Sequence, residues 1–233
     1  MKRHLYFYAC PFEGKNVSAW KWNIQRLLSY WPIFNGRKLI TIATGPNLAP
    51  PERVKECFVG RDVEFLEVPN DSVKRETNSF LEGLGRFETK AQGEAVFYAH
   101  SKGVSYAPGE VLSSILRWCD AMYLLNLGSE KLVDWALARH AAMGCFRQRL
   151  DLAGSTWHYS GTFFWVRCAD LFARKWKNLH SSKFAVEGYL GRIFKESESF
   201  DPSPYTHAAT LYHKMPDWGT IQAWFAAAVR KVS

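Results

Sequence analysis

The sequence predicts an α/β protein with a Rossmann-like, mainly parallel central sheet flanked by helices, built as a single domain. Its first half alternates short apolar runs with segments of helical periodicity, and turn residues follow the runs. Such alternation is typical of βαβ units, whose strands are parallel. The chain has 233 residues, enough for one sizeable core. Four strands are predicted in this half: 5–9, 39–43, 63–68 and 95–99.

Three helices are predicted between these strands. Residues 19–30 carry apolar side chains at helical spacing, Pro51 suits the first turn of a short second helix, and residues 77–87 form a third. Ligands of parallel sheets bind beyond the carboxyl ends of the strands. We therefore expect the residues after the strands to lie together at one edge of the sheet: 44–47, 70–71 and 100–106.

The second half of the chain has a different pattern. Helices are predicted over 111–127 and 130–142, with Ser129 as the N-cap of the second. An aromatic run at 157–167 predicts a strand. The remaining segments predict three further helices: 169–176, 186–194 and a closing amphipathic helix at 220–232, capped by Gly219 and Thr220.

Composition limits the function classes. Lys and Arg number 30 against 22 Asp and Glu, so the net charge of +8 favours an acidic partner. The basic residues are scattered and most aromatics lie in apolar periodic segments, so we expect no nucleic-acid partner. No apolar run reaches the ~18–20 residues of a membrane span, and the first apolar stretch is too short for a signal peptide. Five cysteines without a C-x-x-C pair favour neither disulfides nor zinc. We expect a cytoplasmic protein.

The sharpest local feature is the tetrapeptide His100, Ser101, Lys102 and Gly103, which directly follows the fourth predicted strand. A lysine there can neutralise a phosphate, and a glycine lets backbone amides approach a ligand. The imidazole can act as a hydrogen-bond donor, as an acid or base, or as a metal ligand. The alternative is a plain turn with a solvated lysine.

Residues 157–165 are the second feature, because His158 and Ser160 precede Gly161 and an aromatic wall. Aromatic faces with a few hydrogen-bonding groups suit a sugar ring or a base. The alternative is a core strand, which fits Phe163 and Phe164 better.

Other chemical motifs are missing or weak. The sequence has no P-loop, no G-x-G-x-x-G and no G-x-S-x-G motif. His207 and His213, with Asp201 and Asp217 nearby, match no zinc-ligand spacing. Glu187 begins a predicted helix, where a carboxylate is often only a favourable charge.

Two segments resemble the motifs of a bacterial and viral group of GT-A type nucleotide-sugar glycosyltransferases. Residues 100–103 match H-[ST]-K-G and residues 158–165 match H-[YF]-x-G-x-F-[FW]-W. Asn23, Asn70 and Glu76 fit the accompanying pattern, and the resemblance spans most of residues 1–195. It implies a single domain, 1–233, in which residues 1–106 bind the nucleotide and residues 107–233 face the acceptor and supply the C-terminal helix.

The resemblance also implies an activity and roles. The protein would transfer sugar from a nucleoside diphosphate sugar to a saccharide or lipid-linked acceptor, in surface polysaccharide synthesis. Glu187 and His158 would be catalytic. The donor and its diphosphate would contact His100, Ser101, Lys102, Gly103, Thr44, Asn23 and Asn70. The sugar or acceptor pocket would contain Tyr159, Ser160, Gly161 and Trp165.

The sequence departs from GT-A proteins at the metal site. These usually end a central strand in Asp-x-Asp, whereas this strand ends in His100, Ser101 and Lys102. We expect Lys102 to replace the metal; the alternative is a divalent cation, Mn²⁺ or Mg²⁺, held through Asp71. Two rival functions remain open: a sugar- or nucleotide-binding relative without turnover, and a basic nucleic-acid-binding protein. Peripheral membrane contact through Trp224, Phe225, Arg230 and Lys231 is a further hypothesis, and a core-packed helix is its alternative.

Overall fold

One mixed seven-stranded sheet runs through both halves of the chain. The structure is a computed structural model that describes residues 1–13, 17–106, 109–204 and 215–232. The sheet has the order β3-β2-β1-β4-β8-β5-β9, and within it β8 runs against the other six strands. Its strands are β1 (Lys2–Ala9), β2 (Lys38–Thr44), β3 (Glu64–Pro69), β4 (Glu94–His100), β5 (Ala142–Gly144), β8 (Phe164–Arg167) and β9 (Ser199–Phe200). The pair β6 (Arg147–Gln148) and β7 (His158–Tyr159) forms a separate ribbon.

Helices cover both faces of the sheet. They are α1 (Val17–Ser29), α2 (Pro51–Lys55), α3 (Phe80–Gly85), α4 (Glu110–Leu127), α5 (Glu130–Arg139), α6 (Cys168–Phe172), α7 (Tyr189–Ile193) and α8 (Trp218–Arg230). Short 3-10 turns at Trp31–Ile33, Glu56–Phe58, Arg75–Asn78 and Glu196–Glu198 complete the elements.

The core lies in two layers, one on each face of the sheet. Along β1, Leu5 and Phe7 belong to one layer, while Tyr6 and Tyr8 belong to the other. Alternate side chains of a strand point to opposite faces, so a strand covered on both sides is apolar throughout. This explains why the strands appear in the sequence as continuous apolar runs.

The predicted fold class is confirmed: a single α/β domain with a mostly parallel sheet. All four predicted strands of the first half form, and the Ser129 side chain accepts a hydrogen bond from Leu132 N, as expected of an N-cap. The cap of α8 was wrong, since Asp217 accepts from Thr220 N. The proposed division of function between residues 1–106 and 107–233 stays a prediction.

Several element predictions were wrong in part; among them, the helix predicted over 169–176 ends at Phe172 as α6. The helix predicted over 130–142 ends at Arg139, because β5 enters the sheet at 142–144. The strand predicted over 157–167 is broken by Gly161 (φ +97°) and Thr162 (φ +66°), which separate β7 from β8. Residues 77–87 contain the end of a 3-10 turn and then α3, which begins only at Phe80.

The two aromatic side chains of the last helix that the membrane hypothesis named pack against the core. Trp224 and Phe225 pack against the core layer that contains α4 and α5, and the Phe225 ring lies next to Gly128. The core-packed alternative therefore describes α8 better. Within the described ranges, no helix is long and apolar enough to cross a membrane. His207 and His213 lie outside the described residues.

Candidate functional site

A cavity of about 560 Å³ opens at the carboxyl edge of the sheet. Its walls come from the segments that follow β1, β3 and β4, as expected for a parallel sheet. The first of these contributes Cys10 and Phe12, the second Asn70, Ser72, Arg75 and Glu76, and the third residues 101–106. Of the predicted donor-site residues, the lining includes Asn70, His100, Ser101, Lys102 and Gly103.

The second half of the chain reaches the same cavity because β8 is antiparallel. Tyr98 pairs with Phe164, so β8 begins at the edge where β4 ends. Thr162, just before β8, consequently lines the cavity. The segment 183–187 closes another side and contributes Glu187. The two motifs, some sixty residues apart in sequence, therefore approach one cavity.

A buried ion pair forms part of the cavity wall. His100 Nδ1 lies 3.2 Å from Glu76 Oε1, and the two side chains are only 13% and 14% exposed. Burial alone would raise the pKa of Glu76, but His100, the Glu76 backbone N–H and Lys102 outweigh it and lower that pKa. His100 Nε2 is also buried, and no hydrogen-bond partner for it lies within the described part of the chain. The pair thus leaves one imidazole nitrogen unsatisfied beside the cavity.

Lys102 is held from two sides. Its ammonium lies 4.6 Å from the centre of the Trp118 ring, a cation–π contact, and its carbonyl accepts a hydrogen bond of 2.9 Å from Asn23 Nδ2. Gly103 follows with φ +91°, and Leu112 and Ile115 crowd the position of a side chain there. A residue other than glycine would be strained at this turn.

Asn23 positions this turn from inside the core and does not line the cavity. It is fully buried, its amide also donates to Ala19 O, and its Oδ1 accepts from the Tyr123 hydroxyl. The prediction that Asn23 contacts the donor is therefore corrected: its polar atoms are already engaged by the protein. Its contact with Lys102 O makes it a positioning residue.

Ser101 joins the ends of β1 and β4. Its backbone N–H and hydroxyl both donate to Tyr8 O, and its Oγ accepts from Cys10 N at 3.2 Å. The side chain is 6% exposed. Ser101 therefore shapes the cavity mainly by fixing the two strand ends.

Glu187 lines the cavity and is anchored by the second motif. Its Oε1 accepts a hydrogen bond of 2.7 Å from Gly161 N. A side chain at Gly161 would collide with Met122 and Trp118, at 2.4 and 2.9 Å. Glu187 precedes α7, because this helix starts at Tyr189 and not at residue 186 as predicted. Gly161 thus serves the site through its backbone, behind the cavity wall.

His158 is buried near Glu187 and does not line the cavity. Burial lowers the pKa of its imidazole, although Glu187 and a hydrogen bond with the Leu150 backbone act in the opposite direction. A neutral imidazole near neutral pH follows. His158 could therefore influence a reaction in the cavity only through its neighbour Glu187.

The predicted aromatic pocket does not form. Trp165 is fully buried and its Nε1 donates to Asn126 O at 2.9 Å; Tyr159 is 1% exposed and its hydroxyl donates to Phe200 O at 2.8 Å. Both rings are enclosed because the strands that carry them are covered on both faces. Ser160 is partly buried, bonds to Phe146 O through its backbone and does not line the cavity. These three positions are corrections to the predicted sugar pocket.

Thr44 and Asp71 also have structural roles. Thr44 Oγ1 donates to Val68 O and its carbonyl accepts from Asn70 N, which ties β2 to β3 outside the cavity lining. Asp71 Oδ1 accepts from Val73 N and Lys74 N, and these hydrogen bonds lower its pKa. Neither side chain lines the cavity.

The cavity residues do not suit a divalent cation. Such ions prefer several oxygen ligands, whereas Glu76 is engaged by His100 and the lining carries three further cations, Arg75, Lys102 and Lys183. Across the described ranges, no group of three or more His, Cys, Asp or Glu side chains is arranged to hold a metal ion. The chemistry offered instead is a cationic surface next to a carboxylate.

Several cavity residues were missed by sequence reasoning. They are Glu76 as a partner of His100, the cations Arg75 and Lys183, and the aromatic side chain Phe184. Glu76 belonged to the pattern of the resemblance, which gave it no role. The other three lie outside the strands and α-helices, in segments whose course no periodicity reveals.

Comparison with known proteins adds little to this geometry. No protein-family model and no curated protein matches the chain. Among solved structures, a 4-diphosphocytidyl-2C-methyl-D-erythritol synthase is similar over 99% of this chain and 98% of its own, at 10% identity and a TM-score of 0.43. A protein from Desulfovibrio desulfuricans G20, provisionally assigned as a nucleotide-diphospho-sugar transferase, is similar over 99% and 94%, at 14% identity and a TM-score of 0.40.

Proposed function

We propose that this protein is a glycosyltransferase that transfers a sugar from a nucleoside diphosphate sugar to a saccharide acceptor. The observation that carries the proposal is a single cavity that combines a cationic strand-end turn at Lys102 with a carboxylate, Glu187, anchored on the opposite motif. The first feature suits a diphosphate and the second suits a hydroxyl that must lose its proton.

The charges of the cavity favour an anionic ligand. Arg75, Lys102 and Lys183 line it together with two carboxylates, and one of these, Glu76, is already paired with His100. A lysine fixed over Trp118 is a preorganised point charge for a phosphate group. In our proposal the diphosphate of the donor lies against Lys102 and His100, and backbone amides near Gly103 approach it closely.

The reaction then needs one bond to form and one to break. The acceptor hydroxyl oxygen bonds to the anomeric carbon, and the electron pair of the broken sugar–oxygen bond stays with the departing nucleoside diphosphate. Lys102 stabilises the charge that develops there. Glu187 takes the hydroxyl proton as general base. Gly161 N keeps Glu187 oriented, and His158 interacts with Glu187 electrostatically, so both act through it.

This assignment needs no metal ligand from the chain. Lys102 and His100 supply the positive charge at the position where related proteins use Asp-x-Asp and a cation. The proposal therefore includes nucleotide binding that does not depend on Mn²⁺ or Mg²⁺.

The test is a donor panel of UDP-, GDP-, CDP-, ADP- and dTDP-sugars, with release of the nucleoside diphosphate as the readout and pooled saccharides as acceptors. We expect one base class to be turned over. Glu187→Gln keeps an acceptor for Gly161 N, so it should lower turnover by about 10²–10⁴-fold while nucleotide affinity is unchanged.

The principal rival is a relative that binds a sugar or nucleotide without turnover. Binding without release of nucleotide by the wild type would favour it. Absence of binding by every nucleotide would contradict both, and the donor site would have to be abandoned.

A further inference from the structure

Part of the cavity lining is exposed and differs in composition from the recessed part. Tyr106 and Phe184 are 40% and 44% exposed although both line the cavity, and Arg75 and Lys183 are exposed beside them. We call these four residues the outer lining. It combines two aromatic side chains with two cations.

The two cations of the outer lining have no ion-pair partner among the residues that the structure describes. Lys183 lies 4.9 Å from the Phe184 ring, and no carboxylate comes within 4.0 Å of the charged nitrogens of Lys183 or Arg75. Most cations on a protein surface are simply solvated. These two are distinguished because both also line the cavity next to Glu187.

The backbone holds Arg75 in a costly conformation. Its φ is +54°, a region that non-glycine residues rarely adopt. Asp71 fixes the loop: its carbonyl accepts from Arg75 N at 2.7 Å, and its carboxylate accepts from Val73 N and Lys74 N. Backbone strain of this kind persists only where the surroundings impose it, and it occurs often at ligand sites. Asp71, once a candidate metal ligand, therefore builds the loop that carries Arg75.

We propose that the outer lining binds the acceptor, and that this acceptor is a saccharide bearing a negative charge, a carboxylate or a phosphate. The inference rests on the proposed transferase function and names the substrate class of the same site. Aromatic side chains offer apolar faces to sugar rings, while Arg and Lys bind acidic substituents through charge-assisted hydrogen bonds. An acidic substituent on the saccharide would pair with Arg75 and Lys183, whereas a neutral saccharide would make no charge-assisted contact with them.

The position of Glu187 supports this assignment. Lys183, Phe184 and Glu187 lie on one short segment, so the groups that would hold the acceptor and the carboxylate that would deprotonate it come from the same piece of chain. An acidic substituent at Lys183 would fix the acceptor hydroxyl relative to Glu187. Recognition and proton transfer are thereby linked through one segment.

The experiment measures binding of three tetrasaccharides by calorimetry: tetragalacturonate, phosphorylated maltotetraose and neutral maltotetraose. The protein is first saturated with the nucleoside diphosphate identified by the donor panel. We expect at least one acidic probe to bind about tenfold or more tighter than maltotetraose, in line with one charge-assisted contact. The two acidic arms distinguish a carboxylate from a phosphate.

Variants identify the surface that binds. Lys183→Ala and Arg75→Asn should each remove most of the preference for the acidic probe; asparagine tolerates the left-handed backbone at position 75. Phe184→Ala should weaken acidic and neutral probes alike. Lys177→Ala is the matched control, because Lys177 lies 5.1 Å from the Trp176 ring in the same kind of contact but outside the cavity. It should leave every affinity unchanged.

Three results would overturn the inference while the proposed function stands. One is equal affinity for acidic and neutral probes in a protein that binds nucleotide. Another is competition between the acidic probe and the nucleotide, which would place the anion in the donor site. The third is binding to phosphatidylglycerol vesicles, lost in the same variants, with no saccharide binding. Failure of the proposed function is separate, since it appears in the donor panel as no release of a nucleoside diphosphate from any donor.

Discussion

Two largely buried carboxylates, Glu76 and Asp201, show how differently the same kind of group is used in the two halves of the sheet. Glu76 pairs with His100 beside the cavity, next to the strands of the first half. Asp201 follows β9 at the far edge, away from the cavity. Both occur in loops after strands, so position along the chain does not separate them.

Both carboxylate oxygens of Asp201 accept hydrogen bonds from the protein itself. Its Oδ2 accepts from Arg147 N, and its Oδ1 accepts from both the backbone N–H and the hydroxyl of Ser203, each at 2.7 Å. Ser203 Oγ in turn accepts from Phe146 N. The network joins the segments around β6 and β9. Its hydrogen bonds are complete without any ligand.

The hydrogen bonds of the pair formed by Glu76 and His100 are, in contrast, not all supplied by the described part of the protein. His100 satisfies the carboxylate through Nδ1, while Nε2 has no partner within the described residues. Burial raises the pKa of Asp201 to about 6, whereas the charges of His100 and Lys102 overcome burial and lower the pKa of Glu76. The comparison teaches that burial of a carboxylate marks a functional site only where cations and unfilled hydrogen bonds accompany it at a cavity.

The largest effect expected from this comparison is on stability. Asp201→Ala leaves three donors without an acceptor, so it should destabilise the protein by at least about 3 kcal/mol, at about 1–3 kcal/mol for each buried group. Urea denaturation measures this, and nucleotide affinity should remain that of the wild type. A loss of nucleotide affinity in folded Asp201→Ala protein would show that the two regions are not independent.

A smaller effect is an opposite pH dependence. The folded-state pKa of Asp201 is above the ordinary 3.8, so the stability it contributes is present below pH 3.8 and lost as pH rises through about 6. The pKa of Glu76 is below the ordinary 4.5, so its contribution is present above pH 4.5 and lost as pH falls through its lowered value.

Denaturation at a series of pH values tests this directly. Between about pH 4 and 6 the free energy of unfolding of the wild type should decline by at most about 3 kcal/mol because Asp201 loses its proton. Asp201→Asn should not show this decline. Glu76→Gln should instead lack part of the loss on the acid side. Identical pH profiles for the wild type and both variants would contradict the contrast between the two sites.

The sequence was sufficient to predict which residues lie at the carboxyl edge of the sheet. It was insufficient to predict which residues the loops beyond that edge bring to the cavity. Apolar runs marked the strand ends, and parallel pairing brings strand ends to one edge, so Asn70 and residues 100–103 were found. Glu76 could not be placed in this way. It follows β3, which lies three positions from β4 in the sheet, and its loop crosses that distance to reach His100. Periodicity carries no information about such a crossing.

The aromatic strand shows a second limit. In a strand covered on both faces, alternation does not tell which rings are enclosed, so Trp165 and Tyr159 were assigned to a pocket although both are buried. Asn23 is a similar case: an amide on a helix has the same sequence signal whether it faces a ligand or a backbone carbonyl. Only the packing of α1 against the turn at Lys102 decides between them.

The most direct test of the central claim is nucleotide titration of the wild type, Lys102→Ala and the control Lys177→Ala. The claim is that a nucleoside diphosphate binds against the turn at Lys102. We predict that one nucleotide class binds the wild type and Lys177→Ala equally, without added Mn²⁺, and binds Lys102→Ala at least about tenfold more weakly. Equal binding by all three proteins, or no binding by the wild type, would contradict the account.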